Sequence, residues 1–480
     1  MRLKPSASMQ LSTAANHGFP MTLTSQFSVS TLETARSARR RTQEGALGVA
    51  ADRQAQPAYD ASTPVLVLKT QPRLLHHGAI GAIRTLGRVG VTVHGCEPAG
   101  APAERSRYLA QPSLGPLAGD ASHDVAALAD FQRRLGRPLA VVAVDDEGAR
   151  LLAENADALA PGILLPAQSP DLPREVASKA KLPQLRRIPG VTIPRTVVVN
   201  ASRPATPVEM SYPLMVKAAE PRLLPPSSRP VFLARGEEEL ARYAERLDTR
   251  SGGAADLVLQ EYIPDAEAED WFYHGYHAAG GDPVVGFTGI KLRSWPPFGA
   301  TSYAVSVYNA AVAALARRIL RNLEYAGVVE LEFRLDKRDG VYKLIDFNPR
   351  LGAQFKLLRN ENGVDVVRAM HLDLTGREVP RGRQVEWTAF VSDFADPLAF
   401  AAHRGRAHHA GHAWVRQFLS AEARSWFARD DMGPFWAAGL QSTRSSVRFS
   451  ATAVRRAVAN WRPGKAPAHV KPFPKASPLS

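Results

Sequence analysis

The residues best suited to chemistry lie between Val329 and Arg350, VELEFRLDKRDGVYKLIDFNPR. Two extended runs flank Asp336 to Gly340, DKRDG, whose final Asp-Gly is a hairpin signal. Asp346 and Asn348 are two apart on the second run, so their side chains leave one face of the strand. A hairpin closed in register brings Glu332 across onto that face. Two carboxylates and an amide are hard oxygen ligands. They suit Mg²⁺, which takes one or two carboxylates and completes its shell with water and nucleotide phosphates. Arg350 extends the row. The plainer reading is a hairpin with solvated charges on its wet face. It explains the acids and leaves Asn-Pro-Arg at a strand end without a reason.

Upstream pieces supply cations. Tyr212 to Lys217, YPLMVK, is an apolar run ending in a lysine, which directs Lys217 toward a cleft. In Gly289 to Tyr303, GIKLRSWPPFGATSY, Lys291 and Arg293 alternate on one strand face before a Pro-Pro turn. The stretch from Leu257, LVLQEYIPDAEAEDWFYHGYHA, reads as strand, bend, strand. Each piece alone is equally consistent with an ordinary exposed strand end.

Their order is what is specific. Glu332 followed by Asp346-x-Asn348-Pro349-Arg350, preceded by these segments, resembles the ATP-grasp superfamily over roughly residues 60 to 375. The resemblance implies that Glu332, Asp346 and Asn348 hold Mg²⁺, with Mn²⁺ as an alternative. It implies that Lys179, Lys217 and Lys291 contact ATP phosphates, and that Gln260, Glu261, Tyr262 and Ile263 form the adenine hinge. Glu267 is first choice by spacing for the ribose acid, ahead of Glu269 and Asp270. Lys291, Arg293 and Arg350 take the catalytic role of stabilising the transferring phosphoryl group. The KLR-x-Trp-Pro-Pro element is similar to a segment of carboxylate–amine ligases that join amino acids or short peptides. Such enzymes activate a carboxylate as an acylphosphate, which an amine then attacks. A carboxylase-type reaction is the enzymatic alternative. Three departures stand out: Asp346 replaces the commoner Glu, Asp265 replaces a hinge glycine, and no glycine lies between Lys217 and Arg235, where the family has a glycine-rich phosphate loop. The last motivates a second alternative, a non-catalytic or regulatory ATP-binding protein.

The elements needed to position these residues are legible in outline. PVLVLKT, an amphipathic stretch through Ile80, Ile83, Leu86 and Val89, and VTVHGCE form a βαβ pattern. The glycines Gly78, Gly81 and Gly87 lack dinucleotide-fingerprint spacing. LAVVAVDDEGARLLAENADALA repeats the scheme, with Asp145 and Asp146 read equally as helix caps or as residues facing an acceptor. His76 and His77 sit at a strand-to-helix corner, where such sheets bind ligands. Asn309 to Leu323 reads as a packing helix with Val312, Leu315, Ile319 and Leu323 on one stripe. The expected fold is α/β: a disordered leader (1–62), a Rossmann-like pre-ATP-grasp domain (63–175), a two-lobed α+β ATP-grasp fold (176–380), a C-terminal helical or mixed extension (381–441) and a basic disordered tail (442–480).

Composition agrees with a globular protein: of 480 residues, 45% are hydrophobic and 22% charged. The single cysteine, Cys96, excludes an intrachain disulfide and a Cys-based zinc cluster and fits a reducing cytoplasm. No apolar run has bilayer length, and the leader lacks a secretory h-region. Its Arg- and Ser-rich character also matches a transit peptide, and Met21 is a later candidate start. The net charge of +14 owes much to Ser442–Ser480, which contains no Asp or Glu. No nucleic-acid-binding motif accompanies it; the resemblance implies a small carboxylate and an amine as partners, and a homodimer.

Overall fold

Val65–Leu68 (β1) is apolar throughout and buried on both faces, which demands cover from two layers. The chain supplies it by winding through α1 (His77–Gly87), β2 (Val93–Gly95), α2 (Ala121–Leu135), β3 (Leu139–Ala143), α3 (Asp146–Glu154) and β4 (Ile163–Leu164). The sheet is parallel, in the order β2-β1-β3-β4. Leu66, Leu68 and Val141 pack with Leu128 and Phe131 of α2. Val65, Val67 and Val142 pack on the opposite side with Ile80, Ile83 and Leu86 of α1. The structure, a computed structural model, describes residues 57–204, 210–219, 231–251, 255–403 and 411–443. Most of the leader, nearly all of the basic tail and most of the glycine-less loop after Lys217 lie outside the described residues.

A second sheet is antiparallel: β5 (Thr196–Asn200), β6 (Leu214–Ala218), β7 (Val231–Ala234) and, after α4 (Glu237–Ser251), β8 (Asp256–Glu261), ordered β5-β8-β6-β7. Leu214, Val216, Leu257 and Leu259 cover Leu240, Ala244 and Leu247 of α4. Lys217 is on the other face of β6, out of this core.

The third sheet has seven strands. They are β9 (Ala268–His277), β10 (Pro283–Trp295), β11 (Ala300–Ser306), β12 (Gly327–Asp336), β13 (Val341–Asn348), β14 (Ala389–Val391) and β15 (Ala423–Arg424), in the order β13-β12-β9-β10-β11-β14-β15. Helix α5 (Ala310–Asn322) follows β11 and is capped by Asn309. Its buried stripe is Val312, Ala313, Ala316, Ile319 and Leu320, so Leu315 and Leu323 sit at the margin rather than at the centre. Helix α6 (Val366–Leu374) packs beneath α1, joining the first and third sheets in one core. The extension adds α7 (Asp396–His403), α8 (Gly411–Ser420) and a helix over 433–443. Two backbone bonds align the layers at the cleft: Leu351 N–H donates to Ala143 at the end of β3 (3.1 Å), and Leu344 N–H donates to Thr192 (2.8 Å). Among the described residues no helix is long and apolar enough to cross a membrane.

Candidate active site

The β12–β13 register pairs Glu332 with Asp346 and Glu330 with Asn348. With period two on both strands, these four polar side chains share one face of the hairpin. The pairing slips after Glu332: Phe333 meets Leu344, and Ile345 drops out of the ladder. The Ile345 carbonyl instead accepts from Lys217 Nζ at 3.1 Å, bringing the antiparallel sheet onto the hairpin.

Three more cations join them. Lys291 Nζ, from β10, donates to both oxygens of Glu332 at 3.0 Å. Lys179 Nζ donates to Asp346. Lys179 occupies a turn between a short helix, Leu172–Ala177, and a 3₁₀ helix, Leu182–Arg187. Arg350 Nη1 donates to Glu330 at 2.5 Å, and its Nε lies 3.5 Å from Asp146 on α3. Lys179, Lys217, Lys291, Arg350, Glu332 and Asp346 therefore converge from the antiparallel and seven-stranded sheets and the connections beside them, while Asp146 reaches Arg350 from α3 of the parallel layer.

Their protonation follows from crowding. Burial pulls the Lys217 ammonium down to about 8, against the attraction of Asp346. Burial also acts against Lys179 and Lys291, but Asp346 and Asp146 outweigh it at Lys179, and Glu332 and Asp270 at Lys291; both stay raised. Burial favours a neutral Asp346, yet Lys179 and Lys217 prevail and hold it below the usual carboxylate range. Glu332 goes the other way, pushed up by burial and by Glu330 and Asp346 despite Lys291.

Glu330 is a residue of the site that the motif reading passed over. It is 3% exposed, accepts from Gln354 Nε2 (2.6 Å) and Asn348 Nδ2 (3.3 Å) as well as Arg350, and lies 3.4 Å from His274 Nε2. Burial notwithstanding, Arg350 and His274 hold its pKa far below normal. Its position two residues before Glu332 was the available signal. Gly352 completes this corner: a Cβ there would lie 2.0 Å from the His274 ring and 2.8 Å from the Glu330 carboxyl carbon.

This arrangement of sheets is found in solved structures. Biotin carboxylase from Campylobacter jejuni, a β,γ-ATP complex, matches with a TM-score of 0.51 at 16% identity, over 68% of this chain and 74% of that one. The biotin carboxylase domain dimer of Hydrogenobacter thermophilus 2-oxoglutarate carboxylase, with MgADP, ADP and bicarbonate, matches at 0.50 and 16%, over 69% and 73%. N5-carboxyaminoimidazole ribonucleotide synthetase in its ADP complex matches at 0.50 and 12%, over 70% and 82%. The chain has the ATP-grasp fold. No protein-family model and no curated relative matches the sequence.

Within this ATP-grasp fold, other expected site residues occupy distinct places. Gln260 is buried in β8, its Nε2 donating to Thr196 Oγ1 at 3.1 Å. In the hinge, Glu261 N–H donates to the Arg195 carbonyl (2.8 Å), and the Ile263 carbonyl accepts from Arg334 (2.8 Å). Tyr262 meets Phe298 edge to face. Asp265, in the usual glycine's place, pairs with Arg334 at 2.6 Å, and Arg334 also holds Asp270. Glu267 is exposed, 3.9 Å from Arg338.

Arg293 is not brought to the cluster. The pairing of β10 with β11 shifts between Lys291 and Arg293. Arg293 instead makes a bidentate pair with buried Asp396 (2.8 and 2.9 Å), donates to Gln417 (2.6 Å), and lies over the Tyr303 ring. This corrects the expectation of a phosphoryl-contacting Arg293: with its donors engaged, the residue fastens the C-terminal extension to the sheet. The paired aspartates also separate. Asp145 is the cap, accepting from Gly148, Thr70 and Gln71 N–H groups, while Asp146 faces Arg350. His76 caps α1 through Nδ1, and His77 stacks on Phe390.

The donor set would suit Mg²⁺ held together with a nucleotide. Among the described residues no three His, Cys, Asp or Glu side chains form a metal cage. Glu332 and Asp346 face each other with Asn348 alongside. Two carboxylates and an amide, short of a full shell, are what a cation sharing phosphate oxygens uses.

Proposed function

We propose that this chain binds ATP with Mg²⁺ (or Mn²⁺) in the cleft between the antiparallel and seven-stranded sheets and activates a carboxylate for attack by an amine. The observation carrying this reading is the convergence of Lys179, Lys217, Lys291 and Arg350 around Glu332 and Asp346. Lys217 donates to a carbonyl rather than to an acid, and Lys179 and Lys291 pair with Asp346 and Glu332, which an incoming metal would take over, so these three ammonium groups can turn to a polyphosphate. Glu332, Asp346 and Asn348 would hold the metal, which neutralises β- and γ-phosphate charge when bound. Lys179, Lys217 and Lys291 would bind phosphate oxygens. Gln260 to Ile263 would border the adenine, and Glu267 the ribose.

A substrate carboxylate oxygen attacks the γ-phosphorus and ADP departs. The amine then attacks the acyl carbon and phosphate departs. The protein's part is to align the reactants and stabilise charge, so no side-chain nucleophile is needed. Arg350, anchored by buried Glu330, is the group for the developing acylphosphate, and Lys291 supports it. The reading extends to an amino acid or short peptide as substrate, a cytoplasmic homodimer, and domains at 63–175, 176–380 and 381–441.

ADP formation from Mg·ATP against pooled amino acids, with and without Asp346→Ala, tests this. Amino-acid-dependent ADP formation lost in the variant supports ligation. ADP formed only with bicarbonate favours a carboxylase, and ATP binding without turnover a regulatory role.

A further inference from the structure

A second region of concentrated positive charge lies on another side of α1. A cavity of about 720 Å³ is bounded by α1, by the segment following Gly352, and by the chain around β15. None of the nucleotide-cleft cations lines it. Its walls carry Arg84, Arg88, Lys356, Arg359, Arg368, Arg424 and Arg429, against Asp365, Glu422 and Asp430.

These carboxylates are already engaged. Asp365 caps α6 and accepts from Thr85. Asp430 holds Arg88 and Tyr108, and Glu422 accepts from Ala389 N–H. Arg84 and Arg424 have carboxylate partners in Asp431 and Asp393. The other cations differ. Arg368 donates to the carbonyls of Thr85 and Gly363. Lys356 Nζ donates to the carbonyls of His77 (2.8 Å) and Ser425 (3.0 Å) and has no carboxylate within ion-pair distance among the described residues. Arg359 and Arg429 are exposed and have no carboxylate partner among the described residues. Burial, with Arg84 and Arg88 adding to it against Asp393, lowers Lys356 to about 7, the behaviour of a cation short of a counter-charge.

We propose that this cavity binds a small polyanion, a phosphate- or carboxylate-bearing metabolite, separately from the nucleotide cleft. Its volume suits a metabolite rather than a lone ion. Arg359 and Arg429 offer planar forks for phosphate or carboxylate at the rim, and Lys356 offers a point charge within. Because α1 also carries the His76–His77 corner, a ligand here would act on a helix that borders the cleft.

The test is calorimetric titration of the full chain, saturated with ADP in metal-free buffer, with pyrophosphate in one arm and citrate in the other. Saturable binding is expected in at least one arm, weakened roughly tenfold or more in Arg359→Gln/Arg429→Gln and again in Lys356→Met. Both arginines are exposed, so the double variant should keep its unfolding temperature. Response to pyrophosphate alone identifies a phosphate ligand, and to citrate alone a carboxylate ligand. No saturable binding of either up to about 10 mM, or binding indifferent to both variants, would overturn the proposal.

Discussion

Lys291 and Arg293 lie two residues apart on β10 and end in opposite kinds of place. Lys291 bonds a carboxylate that stands among other charges in a partly open cleft. Arg293 is closed into a pair with Asp396, itself wholly buried and further bonded by Ser302 and Trp414. The same contrast separates the cleft as a whole from the C-terminal junction, where Arg84 joins Asp431, which also binds Ser106 and the Arg107 N–H. A pair whose remaining donors and acceptors are all satisfied by protein is an anchor, and removing one member leaves a buried charge uncompensated. A pair set among further unbalanced charges can exchange partners with a ligand. Composition does not distinguish the two; the surrounding bonds do.

Arg293→Met should have the largest effect. Stability should fall by about 3–5 kcal/mol in denaturant unfolding, because Asp396 is left alone in the interior. Turnover per folded molecule should stay near wild type; a collapse of turnover at unchanged stability would place Arg293 with the cleft. Asp346→Ala is the converse. ADP formation should drop about 10²–10³-fold, with little change in unfolding temperature.

The hairpin was legible because period two and a turn signal determine which side chains share a face, and Glu332 and Asp346 do pair directly. The parallel course of the first strands was likewise readable from the βαβ pattern. Glu330 obeys the same spacing, but its importance lies in His274 and Gln354, contacts no local pattern reveals. Arg293 shows the opposite limit. Alternation alone groups it with Lys291, yet a register shift and an aspartate 103 positions along decide its role. The short turn carrying Lys179 was hidden because its conformation depends on docking against β13, through Asp346.

Smaller effects sharpen the cleft side. Lys217 titrates near 8 in the folded chain against an ordinary 10.5. Between those values the folded state binds fewer protons than the unfolded state, so its contribution to stability rises with pH. Phosphate binding needs the ammonium and should respond inversely: ATP affinity should fall above pH 8 by up to about tenfold per unit, and Lys217→Met should flatten that slope. Equilibrium binding across pH 7 to 10 checks it; a slope surviving in the variant would assign the titration elsewhere. Glu267→Gln should have the least effect, raising the ATP KM by about fivefold, the worth of one exposed hydrogen bond.

Oxygen transfer from substrate to phosphate reports carboxylate activation in the Glu332–Asp346 cleft. The chain is incubated with Mg·ATP, a pool of amino acids labelled with ¹⁸O in the carboxylate, and unlabelled water, and the released phosphate is weighed by mass spectrometry. An acylphosphate route predicts one ¹⁸O in each phosphate formed by wild type and about 10²–10³-fold less labelled phosphate from Asp346→Ala. Phosphate released without label, while ADP accumulates, would mean that water rather than a carboxylate attacks ATP and would contradict the account.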